Sequence, residues 1–145
     1  MTSRRGVNAG DRGSAVIEAV IGVPAFLLFV GLIIFAGRMA IAQQAVESAA
    51  ASAARSASIA RSQPSAISAG QDAATSSLSE QDVHCQSHRV TLDTSGFAAP
   101  VGTPATVTAQ VTCLVDLADL AVPGVPGTKQ VTATMSSPID TYRER

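Results

Sequence analysis

Hydrophobic positions along the chain form three successive patterns, and the first is a long apolar segment. From Ala19 to Gly37, 19 consecutive residues are uncharged, and most are Ile, Leu, Val or Phe. As a helix, residues 14–37 would measure about 36 Å, enough to cross a hydrocarbon layer of about 30 Å with some tilt. Buried helices of soluble domains are seldom this long and apolar on every side. The pattern therefore favours a transmembrane helix over a core helix.

The second pattern is an Ala-rich stem over residues 38–62. Its apolar positions recur at helical spacing and form a narrow stripe: Ala42, Val46, Ala49, Ala53 and Ala57. Because Ala has the highest helix propensity, we expect one continuous helix from about Ser14 to about Arg61, ended by Gln63-Pro64. An alanine stripe buries little surface, so the stem packs either in an assembly or on the rest of the chain. The sequence alone does not choose between these.

The third pattern is a two-residue alternation of apolar and polar side chains, which predicts β-strands. The predicted strands are residues 89–93, 106–115 and 130–135, separated by Gly- and Pro-rich turns at 96–104 and 122–127. Residues 63–82 have little apolar periodicity and form either a linker or a weak helix. The predicted fold class is therefore α+β: a long N-terminal helix followed by a small antiparallel β-rich head over residues 83–145.

Both cysteines, Cys85 and Cys113, lie in the predicted head. In an exported domain two such cysteines are expected to form a disulfide. Only five aromatic residues occur in the chain, so large core-forming side chains are scarce outside the apolar segment. In the chain-entropy model, a disulfide that closes the loop between Cys85 and Cys113 contributes about 3.5 kcal/mol to the free energy of unfolding. That is a large share of the stability of so small a head.

Charge flanking the apolar segment predicts its orientation. Arg4, Arg5 and Arg12 precede it together with one acid, Asp11, whereas Arg38 alone closes it. The positive-inside rule therefore places the N-terminus in the cytoplasm and the head outside. The expected location is the cytoplasmic membrane, crossed once.

A cleaved secretory signal is an alternative interpretation of the N-terminal region. The small-residue string AIAQQA at 40–45 fits a cleavage site loosely, and SRR at 3–5 has a weak similarity to a twin-arginine signal. However, the apolar stretch is longer than the usual 7–15 residues or so of a signal, and it contains Glu18 and Pro24. These features favour a retained helix.

Candidate chemistry elsewhere is sparse. The net charge of -1 and the scattered arginines give no basis for binding nucleic acid. His84, Cys85 and His88 could offer three metal ligands, but no fourth follows, and an exported cysteine prefers a partner thiol. The chain has no nucleophile-elbow motif and no phosphate-binding glycine loop. We therefore expect no metal, cofactor, small-molecule substrate or enzymatic activity.

The start of the apolar helix carries a more specific arrangement. A basic leader ends at Gly13, and Glu18 is the fifth residue after it. This resembles the processing site of type IV pilin-like proteins, which a membrane-embedded prepilin peptidase cuts after the glycine. More narrowly, RGSAVIEAVIGVPAFLLFVGLIIFAGR is similar to the TadE-like pseudopilins of the tight adherence (Flp) pilus system. In that family a proline and a final Gly-Arg pair follow the glutamate, here Pro24 and Gly37-Arg38.

The resemblance implies a role and a set of partners. Residues 1–13 would be a leader removed by a prepilin peptidase, and the mature chain would be a minor pilin-like subunit that assembles with other pilin-like subunits. Once Ser14 is the new N-terminus, its α-amino group lies one helical turn from Glu18 and can pair with the Glu18 of a neighbouring subunit. Alternatively, Glu18 snorkels to the lipid headgroups. A different class of function, an uncleaved membrane-anchored binding module outside the cell, also fits the sequence.

Overall fold

The computed structural model describes residues 11–117 and 127–142, with side chains from Val16 onwards. The elements follow in the order α1 (Asp11–Ser58), α2 (Gln63–Glu80), β1 (Cys85–Asp93), a 3-10 turn (Ser95–Ala98), β2 (Ala105–Asp116) and β3 (Thr128–Ile139). This confirms the α+β class with a small antiparallel sheet. Most of the predicted leader and of the turn predicted at 122–127 lie outside the described residues.

Helix α1 unites the apolar segment and the stem in 48 residues without interruption, about 72 Å of helix. Large apolar side chains between Val16 and Ile34 are mostly 44–67 % exposed. In the described part of the chain, α1 is the one helix whose length and apolar composition suffice to cross a membrane. The predicted membrane-length helix that continues into the stem is therefore confirmed.

The end of α1 differs from the prediction, because Gln63-Pro64 opens α2 instead of ending α1. Helix α1 stops at Ser58. The side chain of Ser62 caps α2 by accepting a hydrogen bond from the Ser65 backbone N–H, at 3.4 Å. Pro64 stands in the first turn, where a helix has no partner for the N–H that proline lacks. Residues 63–82 were predicted to be either a linker or a weak helix, and the helix is correct.

Helix α2 had a weak sequence signal because its buried face consists mostly of small residues. The buried positions recur every four residues: Ala66, Gly70, Ala74 and Leu78. Such a face has the spacing of an amphipathic helix but little hydrophobic contrast. Its small side chains allow close packing instead: a Cβ placed on Gly70 would lie 2.7 Å from Leu92 Cδ1 and 3.2 Å from the Ala53 carbonyl oxygen.

The three strands form one antiparallel sheet in the order β1-β2-β3. In β2 every second residue is buried, as predicted: Val107, Ala109, Val111, Cys113 and Val115. Val131 and Ala133 of β3 are also buried, but Met135, predicted on the same apolar face, remains 36 % exposed. Ile139, farther along the same face of β3, is buried again.

The core of the head lies between the sheet and the two helices. Helix α1 packs against β2, β3 and α2, and α2 also contacts β1. All five residues of the stem stripe are at most 2 % exposed, and the stem alanines pack against Val111, Cys113 and Val131 of the sheet. The structure thus decides what the sequence left open: the stem packs on the head of its own chain.

A disulfide and a second, smaller hydrophobic cluster complete the structure of the head. Cys85 and Cys113 form the predicted disulfide, with an S–S distance of 2.01 Å and a sequence separation of 28. At the end of the head farther from the apolar segment, Phe97 is buried with Ala57, Val107 and Ile139. The sequence predicted only a turn there. The burial of the Phe97 side chain within that turn was not predicted.

Candidate assembly and processing segment

The proposed cut lies within the first turns of α1. Gly13 and Ser14 both have helical backbone within the described range of α1, and side chains are described from Val16 onwards. Ser14 precedes Glu18 by four residues, which is about 6 Å along the helix axis. The structure therefore places the two predicted assembly residues on consecutive turns of one helix.

Glu18 is exposed on α1, far from any cation that follows it on the helix. The next charged residue along the chain is Arg38, 20 positions later and about 30 Å away. An ionised carboxylate in an apolar environment costs a few kcal/mol, less near the interface, unless water or a cation meets it. Since Arg38 is out of reach, a cation for Glu18 has to come from the N-terminal side or from another chain.

Around Pro24, α1 presents an apolar and uneven surface. The helix runs through Pro24, although proline cannot donate a hydrogen bond to the Val20 carbonyl. Val16, Ala19, Val20, Val23 and Pro24 line a shallow groove on this part of the helix. The chain therefore offers an apolar helix surface that other membrane helices can contact.

Two glycines of the segment have no packing role among the residues that the structure describes. A Cβ placed on Gly22 or on Gly37 would meet no atom within 4 Å. These positions are therefore open to contact by a second helix, which small residues favour in membranes. The disulfide, by contrast, lies entirely within the head.

The predicted Gly37-Arg38 pair marks the point where α1 enters the head. Arg38 is exposed, but Phe35 before it and Met39 after it are partly buried against the main core. The head therefore begins within the last turn of the apolar segment, with no intervening stalk.

A groove at this junction was not predicted. It has a volume of ≈ 510 Å³ and lies between the first turns of the stem and the edge of the head, lined among others by Arg38, Ile41, Val83, His84 and Leu117. These residues come from three separate parts of the chain, so no local motif signals them. The one hint is Ile41, a large apolar residue of the stem that lies off the alanine stripe and is 62 % exposed.

The histidines near Cys85 do not gather into a ligand set. His84 and His88 are exposed, and the sulfur of Cys85 is bonded to Cys113. Within residues 11–117 and 127–142, no group of three His, Cys, Asp or Glu side chains is placed to hold a metal ion.

Comparison with protein families finds a match over the segment described above. Residues 13–55 match the family described as TadE-like protein. No curated protein and no solved structure matches the chain. The matched range includes Glu18, Pro24 and Gly37-Arg38, and ends within the stem before the β-rich part of the head begins. The resemblance drawn from the sequence is therefore confirmed over residues 13–55, which match this family and are called the TadE-like segment below.

Proposed function

We propose that the protein is a minor pilin-like subunit of a Tad/Flp-type pilus or secretion apparatus, with a structural and not a catalytic role. The observation that carries this proposal is that the TadE-like segment coincides with an exposed helix of membrane length. In this proposal residues 14–37 cross the cytoplasmic membrane with the N-terminus inside, and the head lies outside.

Processing by a prepilin peptidase would prepare the segment for assembly. Cleavage after Gly13 creates a positive α-amino group on Ser14, on the turn before Glu18. When two helices lie side by side, the amino group of one can pair with the Glu18 carboxylate of the other. Such a pair offsets the cost of an acid at the membrane boundary, and it favours one axial register between subunits.

Intact mass of the protein extracted from membranes tests the processing step. We expect the wild type to lack residues 1–13 and to begin at Ser14. Gly13→Leu should remain full-length, because a bulky side chain does not fit a peptidase that requires a small residue at the cut. Gly10→Leu, a matched change within the leader, should be processed normally. Trimming of Gly13→Leu to Ser14 would reject the processing proposal.

Co-purification of two differently tagged copies tests the role of Glu18. Glu18→Gln keeps the shape of the side chain and removes its charge, so we expect less partner copy to be recovered. Glu47→Gln is the matched control on the same helix, because the Glu47 carboxylate accepts a hydrogen bond from Gln43 within the stem at 2.9 Å. In the uncut Gly13→Leu background, adding Glu18→Gln should cause little further loss. Unchanged recovery of Glu18→Gln would favour snorkelling.

One observation favours the alternative, an uncleaved anchored binding module: the β-rich part of the head lies outside the TadE-like match. Intact mass separates the two functions, since only the pilin-like subunit loses its leader. A reporter fused to the C-terminus tests the orientation that both share. Activity of a cytoplasmic reporter there would reverse the assignment.

A further inference from the structure

The junction groove lies where membrane and head must meet, as the length of the apolar segment shows. From Ala19 to Gly37 the helix rises about 28 Å, close to the thickness of about 30 Å of a hydrocarbon layer. Phe35 already packs on the core of the head, and Met39 does so one turn later. Even if residues 14–37 form the span, the excess over the hydrocarbon layer is only about 6 Å, so the edge of the head and the membrane surface are at nearly the same level.

The lining of the groove suits the headgroup region of a bilayer. Ile41 supplies an exposed apolar surface directly beyond the apolar segment, and Val83 and Leu117 add apolar atoms from the head. Arg38 is exposed at the rim nearest the apolar segment, where its guanidinium can reach lipid phosphate while its methylene groups stay in the apolar layer. The rim also carries Asp82 and Asp116, so both signs of charge are present, as in a zwitterionic headgroup.

We infer that the junction groove seats against the lipid headgroups of the leaflet on the head's side, so that the head rests on the membrane. The occupant follows from continuity: the exposed apolar surface of α1 runs from Val16 to Ile34 and leads directly into the groove. The inference rests on the membrane anchoring proposed above and adds a second contact to it. That contact fixes the tilt of the head as well as its attachment.

The orientation of the head predicts which of its residues meet lipid. The His84 carbonyl accepts the backbone N–H of Asp116, the last residue of β2, at 3.5 Å, so His84 is at the groove end of the sheet. Val101 is 61 % exposed and lies near Ala105, the first residue of β2. The length of β2 separates these two ends by about 35 Å.

Tryptophan fluorescence tests this contact without background, because the chain contains no tryptophan. The full-length protein would be reconstituted in phosphatidylcholine vesicles, with acyl chains brominated either near the headgroup or near the methyl end. Three exposed positions each receive one tryptophan: His84→Trp at the groove, Val101→Trp at the far end, and Leu28→Trp within the apolar segment. Retention of the disulfide by non-reducing mass analysis checks that each variant has a folded head.

We expect lipid brominated near the headgroup to lower the emission of His84→Trp and to leave Val101→Trp unchanged. Leu28→Trp should lose emission in the vesicles brominated near the methyl end. If Leu28→Trp keeps its emission, the membrane anchoring itself is wrong. If Leu28→Trp is quenched and His84→Trp is not, the anchoring stands and the headgroup contact is overturned. The contact is also overturned if a second copy of the chain covers the groove, in which case the emission of His84→Trp shifts to the blue but is not quenched by brominated lipid. Equal quenching of Val101→Trp would also overturn the contact, since the head would then lie flat.

Discussion

Packing of the stem on its own head can be tested at Ala53, where α1 and α2 approach closely. Ala53 is fully buried in the main core, and its carbonyl oxygen lies 3.2 Å from the position of a Cβ on Gly70. The methyl groups of Leu92 lie 2.7 and 2.9 Å from the same Cβ position. Ala53→Leu adds three carbon atoms within the main core, where Ala53 is fully buried, so we expect the head to lose stability.

The expected loss follows from overpacking, because the helix propensities of Ala and Leu differ by only a few tenths of a kcal/mol or less. Extra methylene groups in a packed core cost about 1–3 kcal/mol. For a small domain that unfolds with an m-value of about 1.5 kcal/mol/M in urea, a loss of about 2 kcal/mol lowers the midpoint by about 1.3 M. This shift is large compared with the error of a midpoint.

Pulse proteolysis of the full chain in detergent, over a series of urea concentrations, measures that midpoint. Ala51→Leu is the matched control, because Ala51 is exposed on the same helix two residues earlier. A surface change of this kind should alter stability by no more than about 0.5 kcal/mol. Equal midpoints for the two variants would refute the packing of the stem on the head. The alanine stripe would then be available to other subunits.

Three further predictions concern the head, each measured by the same urea midpoint. Replacing both Cys85 and Cys113 by Ala should cost about 3.5 kcal/mol and lower the midpoint by about 2 M; a wild-type protein that keeps its midpoint when reduced would contradict this. Gly96→Ala should lose about 1–3 kcal/mol, because a Cβ there would clash with a carbonyl oxygen of β2, whereas Gly37→Ala, with open space around it, should lose nothing. A backbone hydrogen bond from Ser95 lowers the pKa of Asp93, so this ionised carboxylate stabilises the fold above about pH 4, and that contribution is lost as the pH falls through the lowered pKa. Asp93→Asn still accepts the hydrogen bond but does not titrate. Its urea midpoint should therefore fall less than that of the wild type between about pH 5 and pH 3, and an equal fall in both proteins would exclude this role.

The elements with strong side-chain contrast were predictable from the sequence. The apolar segment and the alternation in β2 each place large or β-branched side chains at one clear period, and both match the structure. The pairing of Cys85 with Cys113 followed because the chain has only two cysteines. The two elements each followed from one local pattern, whereas the disulfide followed from the cysteine count.

Features that depend on small side chains were only partly predictable. The buried face of α2 consists of Ala66, Gly70, Ala74 and Leu78, of which only Leu78 is large, whereas the large apolar Ile67 is exposed. The signal that could have located this helix start was Ser62 followed by Pro64 and Ser65, a capping pattern with proline in the first turn. The junction groove had no local signal, because its lining residues meet only in the folded chain.

The continuity of α1 has a mechanical consequence for the proposed assembly. The same helix carries Glu18 near one end and the core of the head near the other, and the alanine stripe fixes the head to its last five turns or so. Pro24 is the one proline inside α1 among the described residues, and it lies within the apolar segment, about 21 Å below Arg38 along the axis. A bend of the helix is therefore expected near Val20 and Pro24, where a backbone hydrogen bond is missing, and not at the junction with the head. If pairing at Glu18 fixes the axial position of one subunit relative to another, α1 therefore carries that position to the head without a flexible linker, with a bend near Pro24.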